Sequence, residues 1–239
     1  MRMLTTLLPI DSGTATVAGF DVTSNPQAVR ERTGYVSQLG GADNLATGRE
    51  DLLLQAQLYG MSFRDASKRS DELAKALDLK DFIDRRVTTY SGGQRRRLDI
   101  ALGIMHRPEI LFLDEPTTGL DPQNRANLWD QVRKLRDNGT TIFLTTHYLE
   151  EADALSDRLA IMDHGEIVAT GTPRELKKQI SGDAVVIKPR HDGATVEKVR
   201  QFLGEQPFVR DARPEGETIR LYVDDGTAML PKIFDLLKA

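Results

Sequence analysis

The chain alternates between short apolar runs and longer stretches whose apolar residues recur at helical spacing. Ile110–Leu113 is a run of four apolar residues, too short for a helix, and it predicts a strand buried on both faces of a parallel sheet. Gly34–Ser37 predicts a further strand, and Thr141–Thr145 predicts another buried strand. Helical spacing or a helix-starting residue predicts helices at Pro26–Arg32, within Ala46–Leu79, after Ser91, after Pro122 and at Pro173–Ile180. This alternation predicts an α/β fold.

The two ends of the chain carry weaker patterns. Met1–Leu8 has apolar residues at helical spacing, and Thr14–Phe20 alternates like a strand. The pattern changes at Ser181–Asp183, and three strand-like and two helical segments follow it. We therefore predict a large domain at residues 1–182 and a small α+β domain at residues 183–239.

Composition excludes several classes of function. The chain has 239 residues, no cysteine and a formal net charge of −4. It therefore forms no disulfide or thiolate metal site, and its charge gives no case for nucleic-acid binding. No apolar run approaches the roughly 18 residues that indicate a membrane span. The first residues do not form a convincing signal peptide. If the protein acts at a membrane, we expect it to dock there through partners.

Candidate chemistry begins where the Ile110–Leu113 strand ends. Asp114 and Glu115 follow that strand at once, at the edge of an open α/β sheet where ligands bind. Two adjacent buried carboxylates are costly unless a cation or a reacting group uses them. Gln38 and His147 each follow another predicted strand, so they are candidates for the same edge. An acidic turn without function is the alternative interpretation.

A second candidate is the segment Ser91-Gly92-Gly93-Gln94. Ser91 and Gln94 have the spacing of a capping box, which predicts a helix start. The two glycines leave the N–H groups of that start accessible to a phosphate. Arg95–Arg97 crowd the same helix end, where cations are disfavoured. An arriving anion would relieve this conflict; a solvated basic face is the alternative.

Together these segments resemble the ATP-binding subunit of an ABC transporter, over Met1 to about Gly182. Asp114 and Glu115 match the Walker B aspartate and the catalytic glutamate beside it. Residues 91–94 match the signature loop of the family, with Tyr90 where leucine is usual. The resemblance implies a P-loop NTPase-like ABC ATPase core with a helical subdomain at about residues 45–105. The C-terminal domain looks like that of drug-exporter subunits of the daunorubicin-resistance type. For that group we expect one more strand and an acidic tail after residue 239.

The resemblance also implies the roles of single residues. Gln38 matches the Q-loop, Asp121 the D-loop and His147 the switch histidine. The implied catalytic residues are Glu115 and His147, the implied ATP-binding residues are Gln38, Ser91, Gly92, Gly93, Gln94, Asp114 and Asp121, and the implied Mg²⁺ ligands are Gln38 and Asp114.

For the whole protein, the resemblance implies an ATPase that drives membrane transport, of the kind that exports drugs or antibiotics. The expected cofactors are ATP and Mg²⁺. The expected partners are a transmembrane permease subunit and a second ATP-binding subunit, identical or different, with which two ATP molecules are sandwiched. Nucleic acid is not an expected partner. The expected location is the cytoplasmic face of the cell membrane, where the subunit would be peripheral.

One motif of the family is absent from the sequence. No lysine is followed by serine or threonine, so the phosphate-binding Gly-x-x-x-x-Gly-Lys-Ser/Thr loop is missing. We expect an N-terminal truncation, with Met1 an internal methionine of a longer protein; a genuinely shortened gene is the alternative. The chain as given is expected not to bind ATP in its own site.

The sequence leaves two other functions open. The missing loop favours a non-hydrolysing structural or regulatory partner that only donates its signature loop to another subunit. A soluble ABC protein of translation or DNA repair is less well supported, because the chain has neither a second signature nor sustained heptads.

Overall fold

The computed structural model describes residues 1–181, 183–189 and 193–238. It divides into two compact units, Met1–Leu155 and Ser156–Ala239. The domain boundary predicted at residue 182 lies outside the described residues and stays a prediction. None of the helices in the described ranges combines the length and apolar character needed to span a bilayer.

The elements follow the predicted order closely. Those of the first unit are β1 (Thr16–Val17), β2 (Phe20–Asp21), α1 (Pro26–Arg32), β3 (Thr33–Val36), α2 (Gly48–Leu58), α3 (Phe63–Ala76), α4 (Gly92–Gly103), β4 (Ile110–Asp114), α5 (Pro122–Asp137), β5 (Thr141–Thr145) and α6 (Leu149–Leu155). Those of the second unit are β6 (Leu159–Asp163), β7 (Glu166–Gly171), α7 (Pro173–Ser181), β8 (Asp183–Ile187), α8 (Gly193–Gly204), β9 (Val209–Glu215), β10 (Thr218–Val223) and α9 (Gly226–Lys238).

A parallel sheet with the strand order β3-β4-β5 forms the centre of the first unit. Its middle strand β4 is buried on both faces, as the apolar run predicts. Leu111 and Leu113 pack into the main core with α4, whereas Phe112 packs on the other side with Val29 of α1. Strand β5 is less buried than predicted, because it is an outer strand of this sheet. Its Phe143 side chain is 45% exposed.

The apolar stripes within residues 46–79 form two helices, α2 and α3, which pack against each other, and α2 also packs on α4. Each begins at a side-chain cap: Thr47 caps α2 with a full capping box, and Ser62 caps α3. The break between them is at Gly60, whose φ of +74° lies in the left-handed region that glycine adopts without strain. Leu52 and Leu73 are buried in the shared core.

Side chains of α4 hold the loop that follows Gln38. The carboxylate of Asp99 accepts hydrogen bonds from the backbone N–H groups of Gly41 (2.8 Å) and Ala42 (3.1 Å). Arg95 donates to the Asn44 side chain (2.7 Å) and to the Ala42 carbonyl (3.1 Å). The loop is therefore fixed through its backbone by the helix that begins after Ser91.

The second unit contains an antiparallel hairpin, β6–β7, and an antiparallel sheet with the order β8-β10-β9. Alternate residues of β10 point into its core, where Ile219, Leu221 and Val223 are fully buried. Leu203 of α8 and Ile233 of α9 complete that cluster. The strand and helix pattern after residue 183 is thus the small α+β arrangement predicted from the sequence.

The N-terminal segment differs from its prediction. Residues 1–8 form turns instead of a helix, with Thr6 at a φ of +59°. The left-handed backbone of Thr6 is incompatible with a right-handed helix at that position, so the helical spacing of the apolar residues is not realised. Thr14–Phe20 likewise forms two short strands, β1 and β2, with a turn at Ala18 and Gly19.

Strand β3 and helix α4 approach each other at two glycines, and this contact gives a test of the fold. A Cβ added at Gly34 would lie 2.1 Å from the carbonyl oxygen of Gly103, which is backbone and has no room to yield. We expect Gly34→Ala to lower the free energy of unfolding by at least about 2 kcal/mol, because the strand and helix must separate. Urea denaturation of both proteins measures the difference.

Gly41→Ala is the matched control, because nothing lies within 4 Å of the added Cβ and its backbone conformation suits alanine. It should unfold at the wild-type urea concentration or slightly above it. Equal destabilisation by the two substitutions would contradict the close approach of β3 and α4.

Candidate functional site

The carboxylate of Asp114 lies at the carboxyl end of β4 and is held on both oxygens. Thr145, its partner in the register of β5, donates from Oγ1 to Asp114 Oδ1 at 2.6 Å. The Tyr35 hydroxyl donates to Oδ2 at 3.3 Å. Burial, followed by the charge of Asp114, raises the pKa of Tyr35, so the phenol remains a donor at neutral pH. The direction of the Asp114 side chain is thus set from both neighbouring strands.

Three side chains converge on a single oxygen of Glu115. Gln38 Nε2 donates to Glu115 Oε2 at 2.8 Å, and Thr118 Oγ1 donates to the same atom at 3.0 Å. His147 Nδ1 lies 3.4 Å from it, an ion pair when the imidazole is protonated. The structure therefore brings Gln38, Glu115 and His147 together, with Asp114 beside them.

The backbone of Glu115 is unusual. Its φ is +44°, in the left-handed region, and Pro116 follows it. A side chain in that region costs about 1–2 kcal/mol, and a residue before proline normally prefers an extended backbone. The N–H of Glu115 donates to the carbonyl oxygen of Thr145 at 3.1 Å and lies 3.2 Å from its hydroxyl. Such a strained residue persists only where its surroundings determine its conformation.

The segment Ser91–Gln94 starts α4 with the predicted capping box. The N–H of Gln94 donates to Ser91 Oγ at 3.3 Å, and the N–H of Ser91 donates to Gln94 Oε1 at 3.0 Å. Both side chains are thereby engaged in the helix cap. The backbone of Gly92 and Gly93 forms the first turn of the helix, as the sequence predicts.

Asp121 caps the next helix, α5, and lies beside this segment. It accepts hydrogen bonds from the N–H (2.9 Å) and the side-chain amide (2.5 Å) of Asn124. These bonds, the backbone one first, hold the pKa of Asp121 below its usual value. A Cβ added at Gly93 would lie 2.5 Å from Asn124 Oδ1, so the two helix starts are in close contact.

The predicted site residues thus form two groups. One group lies at the carboxyl ends of the parallel strands and comprises Gln38, Asp114, Glu115 and His147. The other lies at the starts of α4 and α5 and comprises Ser91, Gly92, Gly93, Gln94 and Asp121. Among the hydrogen bonds of the described residues, none joins a member of one group to a member of the other.

The three arginines after Gln94 do not form a solvated basic face. Arg96 is 6% exposed and donates to the carbonyls of Ser37, Asp114 and Pro116. Arg97 donates to the carbonyl of Asp78. Burial lowers the pKa of Arg96 from its usual value, although an arginine remains protonated at neutral pH. Carbonyl oxygens of this chain thus accept hydrogen bonds from all three arginines at the start of α4.

The sequence did not indicate Tyr35, Thr118 or Thr145, and it placed Arg96 only within the basic run Arg95–Arg97, without its partners. A signal existed for Thr145, because pairing β4 with β5 in parallel places a hydroxyl beside Asp114. For Arg96 there was none, since its acceptors are backbone carbonyls that no sequence pattern indicates.

The protein-family model described as ABC transporter matches residues 1–118. The chain is 46% identical over 224 residues to the daunorubicin/doxorubicin resistance ATP-binding protein DrrA of Streptomyces peucetius, covering 92% of this chain and 68% of that protein. It is 42% identical over 231 residues to the doxorubicin resistance ATP-binding protein DrrA of Mycobacterium tuberculosis, covering 95% and 70%. The chain thus spans roughly two thirds of the length of these relatives.

A solved structure shares the fold. It is the dimeric, post-hydrolysis state of an ATP-binding cassette bound to ADP and phosphate, and it matches with a TM-score of 0.65 at 23% identity. The match covers 72% of this chain and 78% of that one. At this identity the likeness shows the fold alone, and it confirms the fold class predicted from the sequence.

The contact between Gly93 and Asn124 yields a prediction. Gly93→Ala should lower the free energy of unfolding by about 1–3 kcal/mol, because Asn124 must move and give up its bond to Asp121. Asn124→Ala in the same chain should remove most of that cost. A double-mutant cycle by urea denaturation measures the coupling.

Gly92→Ala is the control, since its Cβ would meet only Leu120 at an ordinary 3.8 Å. It should leave stability unchanged. Additive effects of Gly93→Ala and Asn124→Ala would show that the two helix starts are not in contact.

Proposed function

Because the chain belongs to the family of ABC transporter ATP-binding proteins, we propose that it couples ATP hydrolysis to the export of small organic molecules through a membrane. The observation that carries this proposal is the convergence of Gln38, Thr118 and His147 on Glu115 Oε2, next to Asp114 at the carboxyl edge of the sheet. A carboxylate held by several donors is oriented without further reorganisation.

Glu115 acts in this proposal on the attacking water, either orienting it or accepting its proton. Its Oε2 is held by the neighbouring side chains, which keep the carboxylate at the sheet edge. His147 would contact the terminal phosphate from the end of β5. Both residues are thus placed by strand ends, which are more rigid than free loops.

The oxygen chemistry of the site fits magnesium bound to a nucleotide. Among the described residues, no group of three or more His, Cys, Asp or Glu side chains could hold a metal by itself. Mg²⁺ is usually bound by one or two carboxylates together with substrate phosphates, where it neutralises developing charge. Asp114 would be the carboxylate ligand. Gln38 donates to Glu115 through Nε2, so its carbonyl oxygen is the atom offered to the cation.

The second group of residues would serve the nucleotide of another subunit. Ser91, Gly92 and Gly93 present a helix start, where N–H groups and the helix dipole favour an anion. Asp121 lies against this start through Asn124. We propose that two ATP-binding subunits pair so that each completes the site of the other. The dimeric state of the structurally similar cassette supports this arrangement.

The transported molecule is proposed to be a drug or antibiotic. The two relatives are named for resistance to daunorubicin or doxorubicin, and the match to them continues into the small C-terminal unit. A transmembrane permease subunit would provide the pathway, and this chain would act as a peripheral subunit on the cytoplasmic face of the cell membrane.

A second function is favoured by the missing phosphate-binding loop. The 239-residue chain contains no Gly-x-x-x-x-Gly-Lys-Ser/Thr segment. Such a loop supplies a cradle of N–H groups and a lysine for the terminal phosphates. A chain without it could still donate its Ser91–Gln94 segment to a partner that hydrolyses ATP, which would make it a non-hydrolysing regulatory subunit.

The role of Glu115 gives the first test. In a longer form that carries a phosphate-binding loop ahead of Met1, Glu115→Gln should reduce ATP turnover at least about a hundredfold, since a general base contributes that much or more. Binding of Mg-ATP should persist, because the amide keeps the size of the side chain. Release of phosphate and equilibrium binding are measured on the same preparation.

Gln123→Glu serves as a control, since the side chain of Gln123 is exposed and donates a hydrogen bond to Asn127 on α5. It should leave turnover unchanged. Undiminished hydrolysis by the Glu115→Gln protein would show that another group acts on the water.

The binding of ATP to the 239-residue chain is the second test. Loss of several charge-assisted bonds, each about 1.5–3 kcal/mol, predicts an affinity at least about a thousandfold below that of the longer form. Isothermal calorimetry with Mg-ATP should therefore detect no micromolar site. A micromolar dissociation constant with one site per chain would mean that another segment cradles the phosphates.

A further inference from the structure

The left-handed backbone of Glu115 needs a cause within the fold. Its φ of +44° is unfavourable for any residue with a side chain, and the following proline makes an extended backbone the preferred alternative. Relaxation to that alternative would turn the carboxylate away from its present direction. Some interaction must therefore fix the backbone on both sides of this residue.

The guanidinium of Arg96 makes that interaction. Its Nε donates to the carbonyl of Pro116 at 2.7 Å, and one Nη donates to the carbonyl of Asp114 at 3.1 Å. These are the carbonyls immediately after and immediately before Glu115. The other Nη donates at 2.6 Å to the carbonyl of Ser37, the residue before Gln38. The planar guanidinium presents its donors in a fixed geometry and therefore orients all three carbonyl groups at once, which a lysine ammonium does not.

Thr145 supplies the remaining restraint, on the N–H of Glu115. Its carbonyl accepts that N–H at 3.1 Å, and its hydroxyl oxygen lies 3.2 Å from the same nitrogen. The hydroxyl also donates to Asp114 Oδ1. Thr145 therefore ties the backbone of Glu115 and the side chain of Asp114 to β5.

The neighbouring arginines have different partners. Arg95 bonds to Asn44 and the Ala42 carbonyl, and Arg97 bonds to the Asp78 carbonyl and lies over the ring of Phe82. Arg97 thus offers a matched comparison, because it is on the same helix and bonds to one backbone carbonyl away from the sheet edge.

We propose that Arg96 and Thr145 are positioning residues that hold Glu115 in its left-handed conformation and thereby aim its carboxylate at Gln38 and His147. The catalytic value of this arrangement rests on the proposed function of Glu115. The conformational claim concerns this chain alone and needs no nucleotide.

The first experiment measures amide hydrogen exchange by NMR on the 239-residue chain. Arg96→Lys and Thr145→Val should speed exchange of the Glu115 amide by at least about tenfold relative to the Leu111 amide of β4. Thr145→Ser, which keeps the hydroxyl, should behave like wild type, and so should Arg97→Lys. A uniform increase across β4 would mean that the two residues only stabilise the fold, and would overturn the proposal.

The second experiment compares glycine and alanine at position 115. Glycine accepts a positive φ and alanine does not, so Glu115→Gly should unfold at a higher urea concentration than Glu115→Ala. In the Arg96→Lys and Thr145→Val backgrounds the backbone is free to relax, and this order should vanish or reverse. The same order and the same gap in all backgrounds would overturn the proposal.

The results of these experiments distinguish the positioning of Glu115 from its proposed role in ATP hydrolysis. Local exchange and urea midpoints are measured without ATP, whereas the role of Glu115 in hydrolysis depends on turnover of the longer form. Unchanged turnover in Glu115→Gln with the expected exchange result would overturn the catalytic role and leave the positioning intact.

Discussion

The site depends on the parallel register of β3, β4 and β5. Val36 pairs with Leu113, and Asp114 pairs with Thr145, so the three strands end within one residue of one another along the sheet. Gln38, Glu115 and His147 meet because each follows one of these ends. Backbone pairing of the strands brings these three positions close together, and side-chain hydrogen bonds such as Gln38 to Glu115 then fix their orientation.

This dependence explains how much could be predicted from the sequence. Apolar runs and capping residues are local signals, and they indicated the strands, the helix start at Ser91 and the residues at the sheet edge. The prediction of a helix at Met1–Leu8 was wrong because helical spacing of apolar residues does not reveal the left-handed backbone at Thr6. The segment Thr14–Phe20 was predicted as one strand but forms two, because the chain turns at Ala18. Alanine has no preference for turns, so the sequence did not indicate this break.

The remaining features lie outside the reach of sequence patterns. Arg96 donates to backbone carbonyls, which every residue has. The amino-acid sequence therefore does not distinguish it from Arg95 or Arg97. The left-handed backbone of Glu115 likewise follows from its surroundings and contradicts the local preference of a residue before proline. Local rules fail here at the residue where function is proposed, as expected of sites that store strain.

The hydrogen bonds that hold the loop after Gln38 determine which of its residues can be substituted without changing its shape. Asp99 and Arg95 hold that loop mainly through its backbone, while Leu39 and Leu45 within it are 91% and 79% exposed. The shape of the loop is therefore independent of those two side chains. They can diverge among descendants of this protein to suit different surroundings, while Gln38 keeps its place beside Glu115.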